Sequence, residues 1–288
     1  MNLQDFNNKE KSDARAALFQ CCSSNKWADT LMKHYPFKSE ASLVEQANNI
    51  WYDECDESDW RESFTHHPKI GDVKSLEKKF ASTKHLAGKE QAGVDSATSV
   101  TIQALAKANT DYEDKNDFIF IVCATGKSAE EMLRLAEDRL RNQKEEEVQI
   151  AMGEQSKITI IRFKKLMPDA DWSAFGGSQL TSHVLDTSLG MPGEDLTIKL
   201  QESKDGQWQT VSQGVTNADG RVADLLAPGR KLSHKNYKMI FETGAYFKQN
   251  DIVGFYPEVE IQFTVLDDKH YHVPLLINPF GYSTYRGS

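Results

Sequence analysis

The chain has 288 residues, 39% hydrophobic and 27% charged, with 17 Gly and 8 Pro, a composition that excludes collagen-like or disordered bulk. Its 43 acidic residues against 34 basic ones give a formal charge of −9, so it has no general attraction for nucleic acid or for an anionic membrane surface. No apolar run approaches the roughly 18 residues of a membrane span, and the polar start MNLQDFNNKE is unlike a signal peptide, which points to the cytoplasm.

The length suggests two domains, and the patterning divides accordingly. Residues 1–167 read as helix. In 39–52, Leu43, Val44, Ala47, Ile50 and Trp51 recur at helical spacing, and in 99–108 Ile102, Leu105 and Ala106 do the same. In 128–142 Ser128 and Glu131 form a capping box ahead of Met132, Leu135, Ala136 and Leu140. One stretch disagrees: FIFIVCA, 118–124, would pass on its own for a short buried strand, and its conflict with the helical pattern around it stays open. The cysteines Cys21, Cys22, Cys55 and Cys123 match neither a disulfide framework nor a zinc motif, and reduced thiols are expected.

PDADWSAFGGSQ has no periodicity and reads as a linker, 168–178. Over 179–288 the pattern changes to short strands. Leu196, Ile198 and Leu200 alternate with polar residues, Asp205-Gly206 makes a turn, 217–220 makes another, and Ile261, Phe263 and Val265 alternate again. An antiparallel sandwich or barrel is expected. The formal charge divides as −4 and −5 between the halves, so neither is a basic reader module.

The first half offers three chemical signals. His66-His67-Pro68-Lys69-Ile70-Gly71 restrains His67 beside a proline, which suits a proton donor near neutral pH or simply a solvated pair of loop histidines. Glu90-Gln91 places a carboxylate beside a carboxamide, able to recognise a urea-like edge or to end a charged helix. Arg162 is a lone cation in ITIIRF and faces either an internal carboxylate or a substrate anion.

HHPKIG, KEQAG, FIFIVCATG and ITIIRF, in this order, resemble the 2-oxo-4-hydroxy-4-carboxy-5-ureidoimidazoline (OHCU) decarboxylase family over residues 1–167. The resemblance implies an all-helical, dimeric domain without metal or organic cofactor that removes CO2 to give (S)-allantoin. It makes His67 the catalytic histidine and Glu90 a catalytic partner that raises its pKa. Gln91 joins Glu90 in binding the ureido and ring nitrogens beside Pro68, Arg162 holds a substrate anion, and the backbone of Phe120, Ile121, Val122, Cys123 and Ala124 lines the pocket. Ala87 stands where the family has a serine.

In the second half, His270-x-His272 places two imidazoles on one strand face, a possible zinc arrangement that lacks a third ligand at a matching position. SHVLDTSLGMPG, the Asp219-Gly220-Arg221 turn and the ending HYHVPLLINPFGYSTYRGS resemble the 5-hydroxyisourate hydrolase, or transthyretin-related, family over residues 179–288. That implies a transthyretin-like β-sandwich, a homotetramer, and a metal-free site of His183, Arg221, His272 and Ser288 shaped by Tyr285. The general base stays open between His183 and His272.

Together the resemblances imply a cofactor-free bifunctional enzyme acting on small molecules: hydrolysis of 5-hydroxyisourate to OHCU, then decarboxylation. The alternatives are a chain in which only the hydrolase half works, the helical half serving binding or oligomerisation, a transthyretin-type carrier, and a zinc amidohydrolase.

Overall fold

Five helices in the first half begin where the sequence supplies a capping oxygen. In the computed structural model, which describes residues 1–67, 94–125, 127–173 and 177–287, Asn2, Ser24, Ser39, Asp56 and Ser128 each accept a backbone N–H at a helix start. The boxes Asn2/Asp5, Asp56/Asp59 and Ser128/Glu131 are reciprocal, the last as expected from sequence. The chain divides into two units, Met1–Cys55 with Ser156–Ser288, and Asp56–Gln155.

In the first unit α1 (Leu3–Asn7), α2 (Lys11–Cys22), α3 (Asn25–Leu31) and α4 (Glu40–Asn49) precede a wide turn at Ile50–Glu54. Trp27 is the centre of their core: its indole stacks on Phe163 at 6.0 Å, and its N–H donates to the Ala47 carbonyl at 2.9 Å. In the second unit α5 (Glu57–Thr65), α6 (Val94–Asn116), α7 (Ala129–Arg139) and the beginning of α8 (Lys144–Leu166) bury Phe64, Ile102, Leu105, Tyr112, Met132 and Ala136. All four cysteines are free and buried. Between α8 and the next element Trp172 donates its indole N–H back to the Met167 carbonyl at 2.9 Å.

The remainder of the first unit is two sheets. One holds β1 (Leu180–Asp186), β2 (Met191–Pro192), β5 (Arg221–Val222), β8 (Tyr271–His272), β9 (Leu275–Asn278) and β10 (Gly281–Thr284). The other has the order β4 (Gln207–Val215), β3 (Thr197–Lys204), β6 (Asn236–Phe241), β7 (Val259–Thr264), with a short α9 (Thr243–Gln249) before β7. Asp205 and Gly206, at φ 51° and 79°, make the tight β3–β4 turn that the Asp-Gly pair signals. Leu180, Val184, Ile198, Leu200, Met239, Phe241 and Leu275 fill the core of the sandwich.

Two details differ from the sequence reading. The sheet that holds β1 is mixed, because β1 pairs parallel with both β8 and β9, while the β4-β3-β6-β7 sheet is antiparallel throughout. A parallel neighbour needs a long return path, and here everything from β2 to β7 supplies it. Residues 118–124 form neither helix nor strand although Phe118, Phe120, Ile121, Val122 and Cys123 are buried. Their backbone groups are met by side chains instead of by a neighbouring strand: Arg139 donates to the Ile121 carbonyl at 2.7 Å, and the Cys123 N–H donates to Glu154 at 2.7 Å.

Candidate active sites

Along β1 burial alternates, so Leu180, Ser182, Val184 and Asp186 enter the core while Thr181, His183 and Leu185 take the opposite face. Register then loads that outer face. His183 lies across from Arg221 in the antiparallel pair with β5, and Thr181 lies beside His272 in the parallel pair with β8. Paired residues on neighbouring strands share a face, so two imidazoles and a guanidinium come together.

Local turns fix each of them. Asn217 accepts the Asp219 and Arg221 N–H groups through its side chain, at 3.1 and 2.9 Å, and its carbonyl accepts from Gly220 at 2.7 Å. Gly220 has φ +70°, and a Cβ there would lie 2.3 Å from the Val184 carbonyl oxygen, so the turn that delivers Arg221 requires glycine. The chain end folds over His272: the Gly287 N–H donates to its carbonyl at 2.9 Å, and a Cβ on Gly287 would come within 2.4 Å of its ring. Tyr285 is 60% exposed, and Ser288 lies outside the described residues.

Both imidazoles are biased toward neutrality. Burial, then the charge of Arg221, lowers the pKa of His183, against a smaller upward pull from Asp219. For His272 burial comes first, followed by the positive ends of His270, Arg221 and His183, while a hydrogen bond to the Thr181 backbone opposes them. The Thr181 hydroxyl bridges His270 Nε2 at 3.0 Å and His272 Nδ1 at 2.9 Å. Among the described residues no group of three or more His, Cys, Asp and Glu is arranged to hold a metal ion.

In the helical half His67 follows the end of α5, its N–H donating to the Phe64 carbonyl at 3.2 Å, and its Nε2 is hydrogen-bonded to the Gln155 carboxamide oxygen. Phe64 packs on Phe118 at 5.2 Å, which ties the α5 end to the irregular segment 118–124. Glu154 and Gln155 are buried neighbours on α8, one holding that segment and the other holding His67. Pro68, Ala87, Glu90 and Gln91 lie outside the described residues.

Beneath Phe120 lies Arg139, buried and paired with Glu147, which also accepts from the Tyr112 hydroxyl and, at 2.9 Å, from Asn142. Burial alone would lower the Arg139 pKa, but Glu147, Tyr112 and Glu154 together outweigh it and keep the guanidinium charged. Its cation sits 4.7 Å from the Phe120 ring centre. Arg162, in the other unit, is half-buried and donates to the Cys21 carbonyl at 3.0 Å at the end of α2, a cation at a helix C-terminus.

The sequence reading passed over Thr181, Arg139, Glu154 and Gln155. For the last two a signal existed: the polar run Glu154-Gln155-Ser156-Lys157 separates the apolar IAM from the largely apolar ITII in α8. For Thr181 and Arg139 the meaning comes only from partners distant in sequence.

The OHCU decarboxylase family model matches residues 7–164, and that of the HIUase/transthyretin family matches residues 180–287. The uric acid degradation bifunctional protein TTL of Arabidopsis thaliana is 30% identical over 93% of this chain and 96% of its own. The 5-hydroxyisourate hydrolase of Mus musculus is 42% identical over 38% of this chain and 96% of its own. Among solved structures, an (S)-allantoin synthase aligns over the full length of both chains at 23% identity and a TM-score of 0.45. By residues 7–164 the chain belongs to the OHCU decarboxylase family, and by residues 180–287 to the HIUase/transthyretin family.

Proposed function

We propose that the chain carries out two consecutive steps of urate degradation: its strand-rich half hydrolyses 5-hydroxyisourate to OHCU, and its helical half decarboxylates OHCU to (S)-allantoin. The observation that carries this reading is the convergence of His183, Arg221 and His272 on one outer sheet face, with both imidazoles biased neutral. Opening a cyclic acyl urea needs a base for water and a cation where the oxyanion develops. A neutral imidazole takes the water proton as oxygen attacks the carbonyl, and Arg221 faces the charge that forms. Ser288 completes the site, and Tyr285 shapes it.

In the helical half, loss of CO2 leaves an electron pair delocalised into the ring imine, and His67 delivers a proton to one face of that carbanion. Gln155 fixes the ring orientation. Glu90 and Gln91 bind the ureido and ring nitrogens beside Pro68, and Glu90 supports the protonated imidazole. Phe120, Ile121, Val122, Cys123 and Ala124 present backbone to the substrate, and Arg162 holds a substrate anion through N–H groups that Cys21 and Gln20 do not take. No metal or organic cofactor enters either step. The domain boundaries are those of the sequence patterning: 1–167, a linker 168–178, and 179–288.

The assembly is a homotetramer through the strand-rich half. Phe255, Phe280, Tyr282 and Tyr285 are exposed there, and Phe255, Tyr256 and Tyr282 form one run of edge-to-face rings, an apolar surface suited to a second copy. The compartment is the cytoplasm, in keeping with four free cysteines. Separate assays of His67→Ala and His183→Ala test the division of labour. Each should lower one step by roughly a hundredfold or more and spare the other. A chain in which His67→Ala leaves the stereochemical outcome unchanged has only the hydrolase activity.

A further inference from the structure

The hydroxyl of Thr181 lies between two imidazoles, and a hydroxyl has one hydrogen to give. Its oxygen is 2.9 Å from His272 Nδ1 and 3.0 Å from His270 Nε2. If Thr181 donates to His272, that ring carries its proton on Nε2 and has no lone pair there for a water proton. If instead Thr181 accepts from His272 Nδ1–H and donates to His270, Nε2 of His272 is free as a base. Hydrolysis through His272 requires the second arrangement, because only it leaves Nε2 free to take a water proton, and Nδ1 is the nitrogen turned to the Thr181 hydroxyl.

We propose that Thr181, backed by His270, is a positioning residue that holds His272 as its Nδ1–H tautomer, so that Nε2 takes the proton from the attacking water. This deepens the hydrolase reading above and rests on it. As the water oxygen bonds to the substrate carbonyl carbon, one water proton passes to Nε2 and the carbonyl electron pair moves onto oxygen, facing Arg221. The resulting imidazolium keeps its Nδ1–H on Thr181, whose own O–H stays on His270. No proton travels along the relay; its role is to choose the tautomer and to stabilise the cation.

The test uses the full chain with 15N-labelled histidine. Ring nitrogen shifts of His272 should show a protonated Nδ1 and a bare Nε2. Thr181→Val should move the proton to Nε2 and lower kcat for 5-hydroxyisourate loss by about ten- to a hundredfold with KM little changed, and Thr181→Ser should restore the wild-type tautomer and most of the rate. His270→Ala, at an exposed position, should produce a weaker shift in the same direction. A His272 that carries its proton on Nε2 in the wild type, or a Thr181→Val chain with unchanged kcat, overturns the relay. His272→Ala separates the two levels. If it abolishes hydrolysis while Thr181→Val does not, the relay alone fails, and if it leaves hydrolysis intact the site assignment itself falls.

Discussion

The two halves build their sites in opposite ways. In the strand-rich half the proposed functional groups sit on regular strands, and register brings His183 to Arg221 and Thr181 to His272. In the helical half the proposed lining is an irregular segment held by Arg139 and Glu154, and His67 stands at a helix end held by Gln155. A ladder shares its support among many equivalent bonds, whereas a buried polar scaffold concentrates it in a few side chains. The helical site should therefore fail through single substitutions far from the chemistry, and the strand site mainly through substitutions in it.

The largest effect expected from that difference is at Arg139. Arg139→Met leaves Glu147 buried without its cation and removes the donor to Ile121, and it should cost about 3–5 kcal/mol of stability in the helical half. Denaturant unfolding followed alongside both activities checks this: decarboxylation should fade at lower denaturant than hydrolysis.

Arg221→Gln is the counterpart on the sheet. The residue is exposed, so the fold should hold while kcat for hydrolysis falls by roughly a hundred- to a thousandfold, measured by the loss of 5-hydroxyisourate. A Tm lowered by many degrees would show that the sheet site shares the fragility of the helical one.

The smallest effect is in pH. The His183 and His272 pKa values lie below the ordinary 6.5, so the neutral, active imidazoles persist as pH falls through that value, and kcat/KM for hydrolysis should decline only in more acid solution. The same lowering means that the unfolded chain binds these protons more readily, so the stability contribution is full above 6.5 and is lost as pH falls through the lowered values. Arg221→Gln removes a positive neighbour of both rings. The acid limb of its residual activity should move to higher pH, with His270 and Asp219 still acting on their respective rings.

The strand-rich half was largely legible in sequence because alternation, an Asp-Gly hairpin and a glycine-delimited turn are local signals, and they place Ile198, Asp205, Gly206 and Gly220 directly. What local pattern does not carry is pairing between distant strands. That Thr181 stands beside His272 depends on a parallel pairing across some ninety residues, so a threonine ahead of SHVLD reads as an ordinary strand residue. The helical half was legible in its caps, at Ser128 and Glu131, and illegible at 118–124. FIFIVCA has a strand's composition, and its side-chain partners Arg139 and Glu154, supplied by α7 and α8, hold it in an irregular path. Glu154 and Gln155 show the general point: buried polar residues between apolar turns of a helix mark hydrogen bonding, but their partners become visible only in three dimensions.

The central claim is that one chain performs both steps and controls the handedness of the product. Allantoin formed by the purified chain from freshly made 5-hydroxyisourate, analysed on a chiral phase, tests it most directly. The starting heterocycle should disappear faster than in buffer, and allantoin should form in strong excess of the S form. Racemic allantoin at the buffer rate would contradict it.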